Sequence, residues 1–173
     1  RLEDTFKPLL NLMHEHQLSS DYLQMDETRI QVLKETGHVA TSDKWMWVIR
    51  GGPPQQPVVL FNYDASRGKE VPLRLLDGFQ GYLQVDGYYG YNQACTQYHL
   101  ERIGCMDHAR RKFVEASKAA NTSKKTRKVS KADVAIGKLR KLYLIEDKIK
   151  ALTPEQKYEQ RQKLSKPLLN ELQ

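Results

Sequence analysis

The pentapeptide Tyr22-Leu23-Gln24-Met25-Asp26 returns sixty residues later, almost unchanged, as Tyr82-Leu83-Gln84-Val85-Asp86. Alternate residues of a strand share a face, so each copy puts Tyr, Gln and Asp on one side and its apolar pair on the other. Two such strands, adjacent and in register, would set Asp26 and Asp86 side by side, about 4.8 Å apart. Paired catalytic metal ions sit roughly 3.5–4 Å apart, so carboxylates at that spacing can share and bridge divalent cations. Without a cation, like charges that close raise one pKa and cost stability. An aspartate pair at a sheet centre therefore points to Mg2+ or Mn2+, which oxygen ligands favour over zinc. The plainer alternative is that each Asp only ends a strand before a turn.

The rest of the chain supplies the elements of such a sheet. Apolar residues at helical spacing from Leu2 through Phe6, Leu9, Leu10 and Met13 predict an opening helix. Residues 22–33, 45–50 and 58–63 are rich in aromatic and β-branched side chains and read as strands. The punctuation between them, 37–42 and 51–57, is short enough for an antiparallel meander. A helix over 69–76 stops at Asp77-Gly78, and a fourth strand, 81–86, follows at once. A strand reached through a helix is usually parallel to its neighbour. A short helix over 91–99 and a fifth strand over 102–106 complete the order βββαβαβ. The expected fold is α/β, a ribonuclease-H-like mixed five-stranded sheet with flanking helices.

Beyond the sheet the pattern is helical. A helix over 108–120 carries Arg110, Arg111, Lys112 and Phe113. Ala135, Leu139, Leu142, Ile145, Ile149 and Leu152 form a stripe at spacings of three and four, and Thr153-Pro154-Glu155-Gln156 reads as an N-cap, a first-turn proline and a capping-box glutamine. The expected organisation is a core over 1–120, a basic linker over 121–131 and a C-terminal helical appendage over 132–173. A chain of 173 residues suits one domain with an appendage better than two domains.

Charge and cysteine content narrow the class of partner. The formal charge is +7, and Lys124, Lys125, Arg127, Lys128 and Lys131 crowd into one run. Such a run suits a polyphosphate, because neutralising phosphates releases counterions, and equally suits a solvated linker. No apolar run approaches the 18 or more residues of a membrane span, and no targeting segment is visible. With only two cysteines, a reducing cytoplasm and a fragment of a soluble protein are expected.

Four ordered blocks bring in a resemblance. Leu-Gln-Met-Asp-Glu-Thr (23–28), Arg67-Gly68 with Leu76-Asp77-Gly78-Phe79, the block 81–91 and Cys-Met-Asp-His-Ala-Arg-Arg-Lys-Phe (105–113) resemble blocks of the insertion-sequence-66 transposases. That resemblance implies a DDE enzyme of ribonuclease-H type, cutting and joining DNA with two Asp, one Glu and two metal ions, Mg2+ or Mn2+. It makes Asp26 the first acid, bridging both ions, and Asp86 the second. His108 is implied near the scissile phosphate, with a capping or packing role as the alternative. Arg110, Arg111 and Lys112, with Lys124, Lys125, Arg127 and Lys128, are implied on backbone phosphates of transposon ends and target. A homo-oligomer in the DNA complex and a cytoplasmic, nucleoid-associated setting follow.

The family's glutamate block, Asn-Asn-x-x-Glu-Arg, is not found here, so the third acid is expected outside these residues and the fragment is expected to be inactive alone. Glu115 and Glu146 are more simply solvent-facing helix residues. Met106-Asp107 also departs from the family's third block. The alternative function is a non-catalytic nucleic-acid-binding module on the same scaffold. Locally, Cys95, His99, Cys105 and His108 have spacings that compete as a tetrahedral zinc site. Tyr88, Tyr89 and Tyr91 read as loop packing, with stacking on unpaired bases as the alternative.

Overall fold

The computed structural model describes residues 2–34, 36, 37, 39, 42–120 and 129–172. They form two compact units, Arg1–Cys105 and Met106–Gln173. The first holds helix α1 (Leu2–Leu18), strands β1 (Tyr22–Ile30), β2 (Lys44–Gly51) and β3 (Val58–Asp64), helix α2 (Glu70–Leu75), strand β4 (Tyr82–Val85), a 3-10 turn (Tyr89–Tyr91), helix α3 (Asn92–Gln97) and strand β5 (Glu101–Gly104). The sheet order is β3-β2-β1-β4-β5. β1, β2 and β3 pair antiparallel, while β4 is parallel to both β1 and β5, giving the mixed five-stranded sheet expected from the element order.

Alternation sorts the sheet into two faces. Leu23 and Met25 of β1, Trp45, Trp47 and Ile49 of β2, and Leu83 and Val85 of β4 are buried together with Val71, Leu75, Leu76 and Phe79 from α2 and its exit, and Tyr91, Ala94 and Leu100 from around α3. The opposite face carries Tyr22, Gln24, Asp26 and Thr28 on β1, with Tyr82 and Gln84 on β4. A one-residue slip in β1 or β4 would drive the aspartate-bearing phase into the core, so burial of the apolar phase fixes the register.

Close approach of β1 and β4 depends on Gly81. Its φ is +130°, and a Cβ there would lie 2.4 Å from the Asp21 carbonyl oxygen. That same carbonyl accepts the Tyr82 N–H at 2.9 Å, and the Gly81 carbonyl accepts the Glu101 N–H at 2.9 Å, so one glycine starts the pairing of three strands. α3 ends at Gln97, and the chain leaves it through His99, whose φ of 53° is the left-handed turn usually given to glycine, while the Leu100 N–H closes back on the Cys95 carbonyl at 2.9 Å.

The second unit holds α4 (Met106–Ala120), α5 (Lys131–Ile149), α6 (Pro154–Gln160), a π-helical turn (Arg161–Ser165) and α7 (Lys166–Asn170). Ser117 donates to Asp133 at 2.6 Å and Tyr143 donates to Asp107; the opposite order of these pairs makes α4 and α5 antiparallel. Glu146 on α5 and Arg161 form a two-pronged pair at 2.9 and 2.6 Å. The helix grouped by sequence with the core thus clusters with the helical unit instead. The basic run falls largely on 121–128, outside the described residues, and Lys131 is the first residue of α5.

Candidate functional site

The two copies of the pentapeptide pair with each other. β1 and β4 run parallel with Tyr22 opposite Tyr82, Leu23 opposite Leu83 and Gln24 opposite Gln84. Continued by two residues, that register would set Asp26 beside Asp86, which follows the last residue of β4. Asp26 is exposed and Asp86 half-buried. The charges of both aspartates contribute to raising the Tyr91 hydroxyl pKa.

Each acid is fastened through its backbone neighbours. Asp86 Oδ1 accepts the Tyr88 N–H at 2.8 Å, closing the turn after β4. Arg102 on β5 donates through Nη2 to the carbonyls of Asp86 at 2.7 Å and Tyr88 at 2.9 Å, and through Nη1 to Asn92. Asp26 Oδ1 accepts the Glu27 N–H at 2.9 Å. On the acid-bearing face a polar row leads up to the pair: Arg50 donates to Gln24 Oε1 at 3.1 Å, Gln24 donates to Gln84 Oε1 at 2.6 Å, and the Tyr22 hydroxyl donates to the same oxygen.

Behind the pair lies a third carboxylate. Glu27 follows Asp26 on β1 and therefore points to the core side, where its side chain is 1% exposed. Its Oε1 accepts from Arg67 Nε at 2.9 Å and Nη2 at 2.5 Å, and its Oε2 accepts from the Tyr91 hydroxyl. The Arg67 guanidinium in turn lies over the rings of Trp45, at 4.6 Å, and Tyr88, at 4.0 Å. Burial pushes the Glu27 carboxyl upward; the Tyr91 and Arg67 hydrogen bonds pull only part of this back, and the Asp86 charge adds to it. Burial, then the charge and hydrogen bond of Glu27, then the charges of Asp26 and Asp86, hold the Tyr91 hydroxyl far above the ordinary tyrosine range. The Tyr91 hydroxyl thus keeps its proton and donates it in the hydrogen bond to Glu27.

Alternation in β1 was the available signal for Glu27, because a carboxylate in the apolar phase needs partners. Tyr88 and Tyr91 belong to this packing, as expected of that loop, and Tyr89 stands 74% exposed. Arg67 and Arg102 had no comparable signal: their partners lie 40 and 16 residues away in sequence.

His108, Arg110, Arg111 and Lys112 share α4 of the second unit. His108 lies in the first turn of α4, which starts at Met106 after β5 has stopped at Gly104, opposite the last residue of β4. Arg110, Arg111 and Lys112 are exposed, with Lys112 paired to Glu115 at 3.2 Å. Lys124, Lys125, Arg127 and Lys128 lie outside the described residues. Glu115 pairs with Lys112 and Glu146 with Arg161, each on the helical unit.

Among the described residues no three His, Cys, Asp or Glu side chains converge as a metal site, so the zinc alternative through Cys95, His99, Cys105 and His108 has no support. The side-chain donors that Asp26 and Asp86 could offer a cation are oxygen atoms alone. All-oxygen donors of this kind suit hard cations such as Mg2+ and Mn2+. No helix among the described residues is long and apolar enough to cross a membrane.

The chain is similar to two proteins of Sinorhizobium fredii (strain NBRC 101917 / NGR234): uncharacterized protein y4hP, 27% identical over 95% of this chain and 32% of that protein, and uncharacterized protein y4jD, 29% identical over 96% and 33%. It thus spans about a third of the length of these curated relatives. A solved structure, a cryo-EM simian T-cell lymphotropic virus intasome in complex with PP2A regulatory subunit B56 gamma, contains a chain sharing 11% identity with a TM-score of 0.39 over 68% of this chain and 47% of that one. A likeness so loose carries no weight beside the family match. The model of the family described as Transposase IS66 family matches residues 1–173, so this chain belongs to the IS66 transposase family.

Proposed function

We propose that this chain is part of the ribonuclease-H-like catalytic core of a DNA transposase, with Asp26 and Asp86 as two of the acids that hold catalytic Mg2+ or Mn2+. The observation that carries this reading is the in-register parallel pairing of the two pentapeptides, which carries Asp26, midway along β1, toward the level of Asp86, just past the end of β4. Membership of the IS66 family supplies the reaction class, cleavage and transfer of DNA strands.

The chain's own residues do the positioning. Asp26 projects from the central strand and Asp86 from the turn beside it, so both present oxygens to one point while their backbones are held by the sheet and by Arg102. Divalent cations bound there would neutralise charge on the phosphate oxygens during in-line displacement. The polar row of Arg50, Gln24 and Gln84 lies next to the pair on the same face, where it can meet the DNA backbone flanking the scissile phosphate. Arg110, Arg111, Lys112 and the basic run supply phosphate contacts without sequence preference, and the working protein assembles on transposon ends and target. His108 is assigned to the neighbourhood of the phosphate.

Cation binding by the chain itself tests this. In calorimetric titrations with MnCl2 the wild-type chain should bind weakly, and Asp26→Asn or Asp86→Asn should each remove most of the heat while leaving the folded signal intact. Equal binding by wild type and both variants would overturn the assignment. A non-catalytic DNA-binding module, the second reading, would show DNA affinity with no manganese site at all.

A further inference from the structure

We propose that Glu27 is a positioning residue for the acid pair: its buried carboxylate ties the strand bearing Asp26 to the turn bearing Asp86. This rests on the reading of Asp26 and Asp86 as cation ligands. The contacts form a continuous path from one strand to the other. Glu27 is bonded to Asp26 through the backbone, and its Oε1 takes both the Nε and Nη2 donors of Arg67. The Arg67 guanidinium stacks on the Tyr88 ring at 4.0 Å, and the Tyr88 hydroxyl donates to the Arg67 carbonyl at 2.6 Å. The Tyr88 N–H then closes on Asp86 Oδ1 at 2.8 Å. A second arm runs from Glu27 Oε2 to the Tyr91 hydroxyl, and the Tyr91 ring meets Tyr88 edge-on at 5.8 Å.

Two features separate this arrangement from an ordinary buried ion pair. Glu27 is not a third cation ligand, because both its oxygens are engaged on the core side of β1 while Asp26 projects from the other side. The circuit also ends on the functional groups themselves: one end is the residue next to Asp26 and the other is a hydrogen bond on the Asp86 carboxylate. β4 is only four residues long and its ladder with β1 stops at Gln84, so the sheet alone does not fix the residue that must face Asp26. The Glu27 circuit spans that gap. A partner that orients a ligand indirectly commonly changes metal affinity by 10–100-fold.

The test uses the chain as it stands, with two readouts. Glu27→Gln should keep a contact with Tyr91 but lose the charge-assisted fork to Arg67; Arg67→Lys keeps the charge and loses the fork and the stacking. Both should weaken Mn2+ binding by about tenfold, measured well below their melting temperatures. Both should also speed amide hydrogen exchange at Tyr88 relative to Leu23 and Leu83 in the same core. A purely structural role gives faster exchange at all three amides alike and unchanged Mn2+ affinity, which would overturn the proposal. If the wild type binds Mn2+ through Asp26 and the variants match it in affinity and in Tyr88 exchange, positioning fails and the cation site survives. If the wild type binds no Mn2+, the cation reading fails, and Tyr88 exchange still decides whether Glu27 holds the turn.

Discussion

Gly81 has a backbone geometry and a neighbour that leave no room for a side chain, which makes it the sharpest single-residue test of the β1–β4 contact. Gly81→Ala puts a Cβ at positive φ and 2.4 Å from the Asp21 oxygen, so it should cost on the order of 2–4 kcal/mol, read as a lower urea midpoint. An unchanged midpoint would mean the strands are not held this closely. Glu146 gives a prediction in pH. The Arg161 hydrogen bonds hold its carboxyl below the ordinary glutamate range, burial opposing them in part. A carboxylate depressed in the folded state adds stability that is present above the ordinary value of about 4.3 and is lost as pH falls through the lower folded value. Glu146→Gln should therefore cost stability at neutral pH and little at about pH 3, with helical circular dichroism followed through denaturation at both. The pair is half exposed, so the effect is small. At this scale the shared face of the two pentapeptides was legible because two-residue periodicity is local. The partners of Glu27 were not, since only the folded topology brings Arg67 and Tyr91 beneath β1.

Among the elements, the strands were legible from aromatic and β-branched runs, and the helix boundaries less so. β1 ends at Ile30 rather than continuing to 33, because its last antiparallel partner is Lys44, the first residue of β2. Two capping boxes start α5 and α6. The one at Thr153, with Gln156 and Pro154, was plain in the sequence. The one at Ser130 uses Asp133 in place of the usual Glu or Gln and follows directly on the basic run, which obscured it. Ser130 Oγ accepts the Asp133 N–H at 3.1 Å, so Ser130→Ala should cost about 1 kcal/mol. The loss should appear as faster hydrogen exchange confined to the first turn of α5. Exchange equal to wild type there would show that the cap is not what starts the helix. The order of elements around the sheet follows from a rule of connection rather than from any one residue: a strand reached through a helix returns parallel, and β4 and β5 both do.

At the scale of the molecule, Asp26 and Asp86 lie in the sheet unit and the exposed basic residues of α4 in the helical unit, a division that the proposed function reads as chemistry and phosphate contact. The grouping of α4 with the helices was not legible, because its apolar spacing is equally suited to either surface. With a formal charge of +7 the chain should bind duplex DNA weakly and without sequence preference, and the affinity should fall steeply with added salt. Affinity independent of salt, or none at low salt, would remove the basic residues from the interface. Incubated with DNA and Mn2+, the chain should neither cut nor join strands, since no third carboxylate converges with the pair among the described residues. Metal-dependent cleavage abolished by Asp26→Ala would show that the third acid is already here, with Glu115 and Glu146 the first to replace. The most direct test of the acid pair is paramagnetic broadening by substoichiometric Mn2+ in amide-resolved NMR spectra. The expected result is that signals of Glu27, Gly87 and Tyr88 vanish first and together, and that Asp26→Asn restores all three. Broadening centred on other acidic residues, or lost at Glu27 but retained at Gly87 and Tyr88 in the variant, would contradict a shared site.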